Sequence, residues 1–286
     1  MRRRWPGLLR HAALLLGALL AMLPLLWAAL VSARSQDAIL TASLLTPPSW
    51  GGLLRNYGEA FAATPLLTYI GNGALVCGLI LLCQLLVMIP CGYALAKLRV
   101  PGRHSLWGTV LLGLVIPAPV LATPLFVMAA WSGLTDSIAA LVVPWAISSL
   151  GIFLMRQFFR GVPDELIEAA RLDGLGELDL LVRVLLPLAG PTIGAFAIIS
   201  IVAHWNDLFW PSIVITSAEH ATPPFGVMLF QTQEAGTDYG ALMAGSLVIA
   251  MPLVAVFLLL QRRLIDGLTA GKSPDSPTPE RDHEQA

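Results

Sequence analysis

Glu168-Ala169-Ala170-Arg171-Leu172-Asp173-Gly174, followed nine residues later by Val184-Leu185-Leu186-Pro187, is the stretch that decides how this chain reads. It is a charged, helix-competent segment held between two long apolar runs. Val162-Pro163-Asp164-Glu165 just before it reads as a helix start. Pro suits a first helical turn, and two acids complement the positive end of the helix dipole. Leu166, Ile167, Ala169, Ala170 and Leu172 continue the helix, with small residues that permit close approach of another surface and Glu168 offering a charge. Gly174 re-aims the chain at low cost. Leu175, Leu178, Leu181, Val182 and Leu185 then recur at helical spacing up to Pro187. The spacing predicts a short helix, a bend, and a second short helix feeding into the next apolar run. From residues alone, such a segment could also lie flat on a membrane as an amphipathic helix.

The rest of the chain reads as membrane. Of its 286 residues, 56% are hydrophobic and only 12% charged, and the mean hydropathy is +0.75. Soluble domains carry about 25% charged residues, so a water-soluble globule is excluded. Asp, Glu, Lys and Arg are absent between Arg10 and Arg34, Glu59 and Lys97, Arg103 and Asp136, Asp136 and Arg156, Arg183 and Asp207, and Asp238 and Arg262. Each gap matches the ~20 apolar residues that cross a bilayer core. The expectation is an all-α polytopic protein with six transmembrane helices, over 12–33, 67–95, 106–130, 138–158, 185–206 and 240–261. A first apolar run this long exceeds a usual signal core, so no cleavage is expected after Ala33.

Basic residues set the orientation. Fifteen of the 17 fall in the amino-terminal tail, the two loops holding Lys97 to Arg103 and Arg156 to Arg183, and the carboxyl tail. Only Arg34 and Arg55 remain for the other side. Both termini and the Glu-Ala-Ala loop are therefore expected in the cytoplasm. This gives a cytoplasmic tail 1–11, a first helix 12–33, a periplasmic segment 34–66, a core 67–262 containing the loop 160–184, and a cytoplasmic tail 263–286. That tail is rich in Pro and Ser and reads as partly disordered.

The order Glu-Ala-Ala, three residues, Gly, nine residues, Val, one residue, Leu-Pro resembles the loop signature of permease subunits in binding-protein-dependent ABC importers. Val184 stands where Ile is usual. Asn56-Tyr57-Gly58-Glu59-Ala60-Phe61, Trp205-Asn206-Asp207-Leu208-Phe209-Trp210-Pro211 and Gly267-Leu268-Thr269-Ala270-Gly271 are similar to segments of the smaller, six-helix permease of the maltose and glycerol-phosphate class. The resemblance implies a type I importer permease fold with a cytoplasmic coupling helix between helices 4 and 5. It also implies that Glu168, Ala169, Ala170, Asp173, Gly174 and Pro187 couple to a separate ATPase. The implied partners are a cytoplasmic ATPase dimer carrying ATP and Mg, a second permease, and an extracytoplasmic solute-binding protein, all at a bacterial inner membrane and none of them nucleic acid. The implied solute is a sugar or sugar-like molecule.

No Gly-x-x-x-x-Gly-Lys-Ser/Thr loop occurs, so the chain is expected to hydrolyse no ATP and to hold no cofactor. Cys77, Cys83 and Cys91 match no metal or redox spacing, and no metal site is expected. Polar side chains within apolar spans are costly and mark helix contacts or wet pathways. Asn72, Gln84, His204 and Asn206 are the candidates for lining a translocation pathway. Trp107, Trp131, Trp205 and Trp210 read as interface anchors, and 207–239, with Pro211, Pro223 and Pro224, reads as a re-entrant or lid-like element. Two other classes remain. A stand-alone secondary transporter would place charges within its spans. An intramembrane enzyme would need more than His204 one turn from Ser200.

Overall fold

Where an apolar run meets a proline or a small polar cluster, the helix breaks. Where it does not, the helix runs on. The structure, a computed structural model, describes residues 5–41, 47–233 and 238–269. Ala270 and Gly271 of the terminal motif, and the tail beyond them, lie outside the described residues. Among the described residues every regular element is helical and no strand occurs. In chain order they are α1 (Trp5–Ser32), α2 (Gln36–Leu40), α3 (Trp50–Ala63), α4 (Leu66–Lys97), α5 (Arg103–Val115), α6 (Ala118–Trp131), α7 (Ile138–Val142), α8 (Ser149–Gly161), α9 (Asp164–Leu172), α10 (Glu177–Asp179), α11 (Leu186–Leu188), α12 (Gly190–Trp205), α13 (Phe209–Val214), α14 (Pro223–Gln233) and α15 (Tyr239–Thr269).

Three stretches are long and apolar enough to cross a bilayer unbroken: Arg10–Ser32 of α1, all of α4, and Tyr239–Leu258 of α15. Leu14, Leu19, Leu23 and Leu26 of α1 are exposed, as lipid-facing side chains are. The expected spans 106–130, 138–158 and 185–206 are instead bent pairs. α5 and α6 meet at 105°, Ile138–Trp145 and α8 at 40°, and Glu177–Leu188 and α12 at 75°. The first bend has a local cause: Ile116 precedes Pro117 and is driven to extended backbone at φ −72°, ψ 117°. The last falls at Ala189-Gly190-Pro191, so the run expected over 185–206 is divided there.

The chain forms two compact units. The first comprises 1–77, 122–143 and 203–254. In it Ser49 caps α3, its Oγ accepting from Gly52 N–H at 3.0 Å. Asn56, fully buried, donates to the carbonyls of Ser32 (2.9 Å) and Arg34 (2.7 Å) and so ties α3 to the end of α1. Tyr69 of α4 lies flat against Gly226, where any Cβ would collide with its ring.

The second unit comprises, among the described residues, 78–121, 144–202 and 255–269. Its core is Met88, Tyr93, Ile152, Met155, Phe159, Leu180, Leu185 and Phe196 with their neighbours. Gly92 lets α4 press onto α8, since a Cβ there would sit 2.5 Å from that of Met155. Tyr93 and Phe159 meet edge to face at 5.6 Å.

Candidate functional site

Val162 is extended (φ −73°, ψ 127°) before Pro163, which ends α8, and α9 starts at once with Asp164 and Glu165 in its first turn. Lys97, at the end of α4, donates to the Val162 carbonyl at 2.6 Å and pairs with Asp164. Ile167 and Ala170 turn into the core of the second unit. Glu168, Ala169, Arg171, Leu172 and Asp173 face out. At the far end Gly174 takes φ +85°, the left-handed region in which glycine is nearly cost-free. Leu175 N–H then reaches the Ala170 carbonyl at 3.1 Å, and Gly174 N–H reaches that of Arg171 at 3.0 Å. Together these bonds are a Schellman stop. α9 is thus fixed at both ends.

A second tie runs through Glu177. Its carboxylate accepts from the buried Tyr93 hydroxyl at 2.5 Å and from Arg171 Nε at 2.9 Å. One acid therefore joins α4 to the last turn of α9. Beyond α10, the stretch Leu180–Leu185 is π-helical and buries Leu180, Leu181 and Leu185. Pro187 follows in α11, exposed, just ahead of the 75° bend.

Of the residues expected to form the outward knob, Glu168, Ala169, Asp173 and Gly174 are exposed, but Ala170 is not. It retains 7% exposure because it shares the Ile167 face of α9 and packs inward. The expectation missed Leu172, the most exposed large apolar side chain of the loop at 89%, and Leu178 at 74%. A signal was present: Leu172 lies five residues past Ile167 and two past Ala170, off the stripe that a helix can bury. Glu177 carried no such signal, since its partner Tyr93 is 84 residues away.

Two of the polar candidates in the spans, Asn72 and Gln84, are held by backbone carbonyls. Asn72 donates to the carbonyls of Glu219 (2.7 Å) and Ala221 (3.0 Å). Gln84 is buried, donates to the Trp145 carbonyl at 2.9 Å and accepts from Ser200 Oγ at 2.7 Å. His204 is half-buried and Asn206 exposed. Asn72, His204 and Asn206 belong to the first unit, Gln84 to the second. Among the tryptophans, Trp131 is exposed, as an anchor would be. Trp205 and Trp210 are buried instead, because their indole N–H groups find the carbonyls of Ile249 (3.3 Å) and Ala140 (2.9 Å). Segment 207–239 folds as α13, a 3-10 turn at Ala218–His220, and α14. Its first part is pinned by Asp136, whose Oδ1 accepts from Thr216 N–H, Ser217 N–H (both 3.0 Å) and Ser217 Oγ (2.9 Å). These donors hold the Asp136 carboxyl down at about 2. Among the described residues no cluster of His, Cys, Asp and Glu could hold a metal.

Residues 88–269, which contain the whole α9 loop, match the family described as "Binding-protein-dependent transport system inner membrane component". The chain belongs to this family. It is a transport component and not an enzyme. Relatives of this inner-membrane component include an arabinooligosaccharides transport system permease of Halalkalibacterium halodurans, 34% identical over 89% of this chain and 91% of its own. A diacetylchitobiose uptake system permease of Streptomyces coelicolor is 29% identical (91% and 87%). An sn-glycerol-3-phosphate transport system permease of Yersinia pestis is 30% identical (93% and 97%). In fold, the component is similar to a chain of a bacterial ABC transporter involved in import of the acidic polysaccharide alginate, with TM-score 0.78 at 21% identity over 91% of this chain and 96% of that one. A methionine ABC transporter chain follows at TM-score 0.55 and 16% identity, over 71% and 95%.

Proposed function

We propose that this permease component forms half of a translocation pathway for a sugar or sugar-like solute and is driven by a separate ATPase through α9. The observation that carries the reading is the division of α9 into two faces. One is locked to α4 and α8 by Ile167, Ala170, Lys97–Asp164 and Tyr93–Glu177–Arg171. The other offers Leu172, Glu168, Ala169, Asp173 and Gly174 to something outside the chain. A docked partner that moves α9 therefore moves the helices it is locked to. Nucleotide binding can shift a permease between outward- and inward-open states only through differential affinity, and a rigid α9 transmits that difference.

On this reading ATP and Mg reside in a cytoplasmic ATPase dimer, a second and homologous permease completes the pathway, and a solute-binding protein delivers from the opposite side. Residues 1–11, 160–184 and 263–286 are cytoplasmic and 34–66 periplasmic, in accord with the Lys and Arg distribution. Asn72 and Gln84 act as helix braces, and His204 and Asn206 stand nearer the pathway. The sugar class is supported by the functions of the relatives, two of which handle oligosaccharides.

The test is affinity purification of the full chain in mild detergent, with identification of what stays bound. An ATPase and a second permease in stoichiometric amount are expected. A chain that comes away alone, folded and monodisperse, overturns the reading.

A further inference from the structure

Three arginines gather where α4 ends and α5 begins. Arg103 opens α5, and Arg156 and Arg160 stand one turn apart in the last turns of α8. α5 and α8 lie side by side and antiparallel. Gly113 meets Ser149, Trp107 stacks on Phe153 with centroids 5.7 Å apart, and the Arg156 guanidinium sits over Trp107 at 3.8 Å. Continued one turn further, that register puts Arg103 against the turn holding Arg156 and Arg160. Both are close enough to Arg156 for their like charges to act on it.

The nearby acids are committed elsewhere: Asp164 to Lys97, Glu177 to Arg171, Asp179 to Arg183. Among the described residues no carboxylate pairs with Arg103, Arg156 or Arg160. Part of the cluster has a purely structural use. Arg103 Nη2 donates to the Ala96 carbonyl and Arg156 Nε to that of Leu95, each at 3.3 Å, and these carbonyls lie in the last turn of α4, where intrahelical partners run out. A guanidinium carries five donors, so both keep donors to spare. Arg160 is exposed and caps nothing. The first turn of α5 also holds no acid, and its N-terminus adds partial positive charge.

Such a cluster fits a phosphate. Its surroundings fit a lipid: Leu106, one turn along α5 from Arg103, is exposed, and Trp107 is a ring of the kind that settles at headgroup level. We propose that Arg103, Arg156 and Arg160 bind the headgroup phosphate of an anionic phospholipid, whose chains start down α5 past Leu106. The site requires that the chain reside in a membrane and is independent of coupling through α9. Basic pockets between membrane helices hold such headgroups.

The test is native mass spectrometry of the full-length protein, titrated with phosphatidylglycerol and with phosphatidylcholine of identical chains. Phosphatidylglycerol is expected to persist and phosphatidylcholine to leave. Arg103→Gln and Arg160→Gln should each weaken retention about fivefold, and the double variant by roughly the product. Arg160→Lys, which keeps the charge, should retain most of it, and Arg183→Gln should change nothing. Equal retention of both lipids, or unchanged retention in the double variant, overturns the site. Displacement by millimolar inorganic phosphate overturns the lipid as its occupant.

Discussion

The loop from α8 to α12 and the loop from α12 to α15 are each tied down with the help of a carboxylate, yet they differ in how much apolar surface they leave uncovered. In the first, Glu177 holds Tyr93 and Arg171 while Leu172 and Leu178 project outward. In the second, Asp136 holds the backbone at Thr216 and Ser217 while Trp210, Val214, Ala221 and Phe225 are buried. A strap fixes a loop in either case. What the loop then does depends on whether its apolar surface is already covered. An uncovered one is ready for a partner; a covered one belongs to the wall of its own unit.

That comparison breaks most readily at α9. Glu168→Lys or Gly174→Asp should lower solute uptake on the order of a hundredfold, near the upper end of coupling energies, with membrane abundance unchanged on an immunoblot. Uptake at the wild-type rate in both variants would remove α9 from the mechanism. Trp210→Ala should do the reverse. It empties a fully buried site and orphans the Ala140 carbonyl, at about 3–5 kcal/mol, so abundance and thermal midpoint fall while uptake per surviving molecule holds.

A finer cut separates strap from surface. Glu177→Gln retains the shape and loses the charge that Tyr93 and Arg171 share. The loss of a charged hydrogen bond, ~1–3 kcal/mol, should reduce uptake several-fold and leave an ATPase still bound in pull-downs. A pull-down that loses the ATPase would make Glu177 part of the docking face. The smallest effect concerns pH. Asp136 titrates at about 2, below the ordinary 3.8, so its stabilisation is complete above about pH 4 and fades as pH falls through 2. The difference in thermal midpoint between the wild type and Asp136→Asn should be constant from pH 5 to 7 and close between pH 4 and 2. A gap that persists at pH 2 would mean that the loss in the asparagine variant does not come from the carboxylate's charge.

Parts of this were legible in one dimension because their causes are local. Pro163, two acids and Gly174 bracket α9 within a dozen residues, and the structure places its start and stop there. Pro117 was equally visible, yet the span across it reads as one helix in a hydropathy count, which is blind to the backbone that a proline imposes on its neighbour. Trp205 and Trp210 were read by residue type as anchors; the carbonyls that bury them lie 44 and 70 residues away.

By itself, then, the sequence determined the membrane class, the charge-free runs and the bounds of α9, since composition and capping act over a few residues. Tertiary structure decided which face of α9 is spent on the core, that Glu177 and Lys97 lock it to α4, and that three arginines from two helices share one corner. Those outcomes depend on which distant residues packing brings into contact, and no local pattern carries that information.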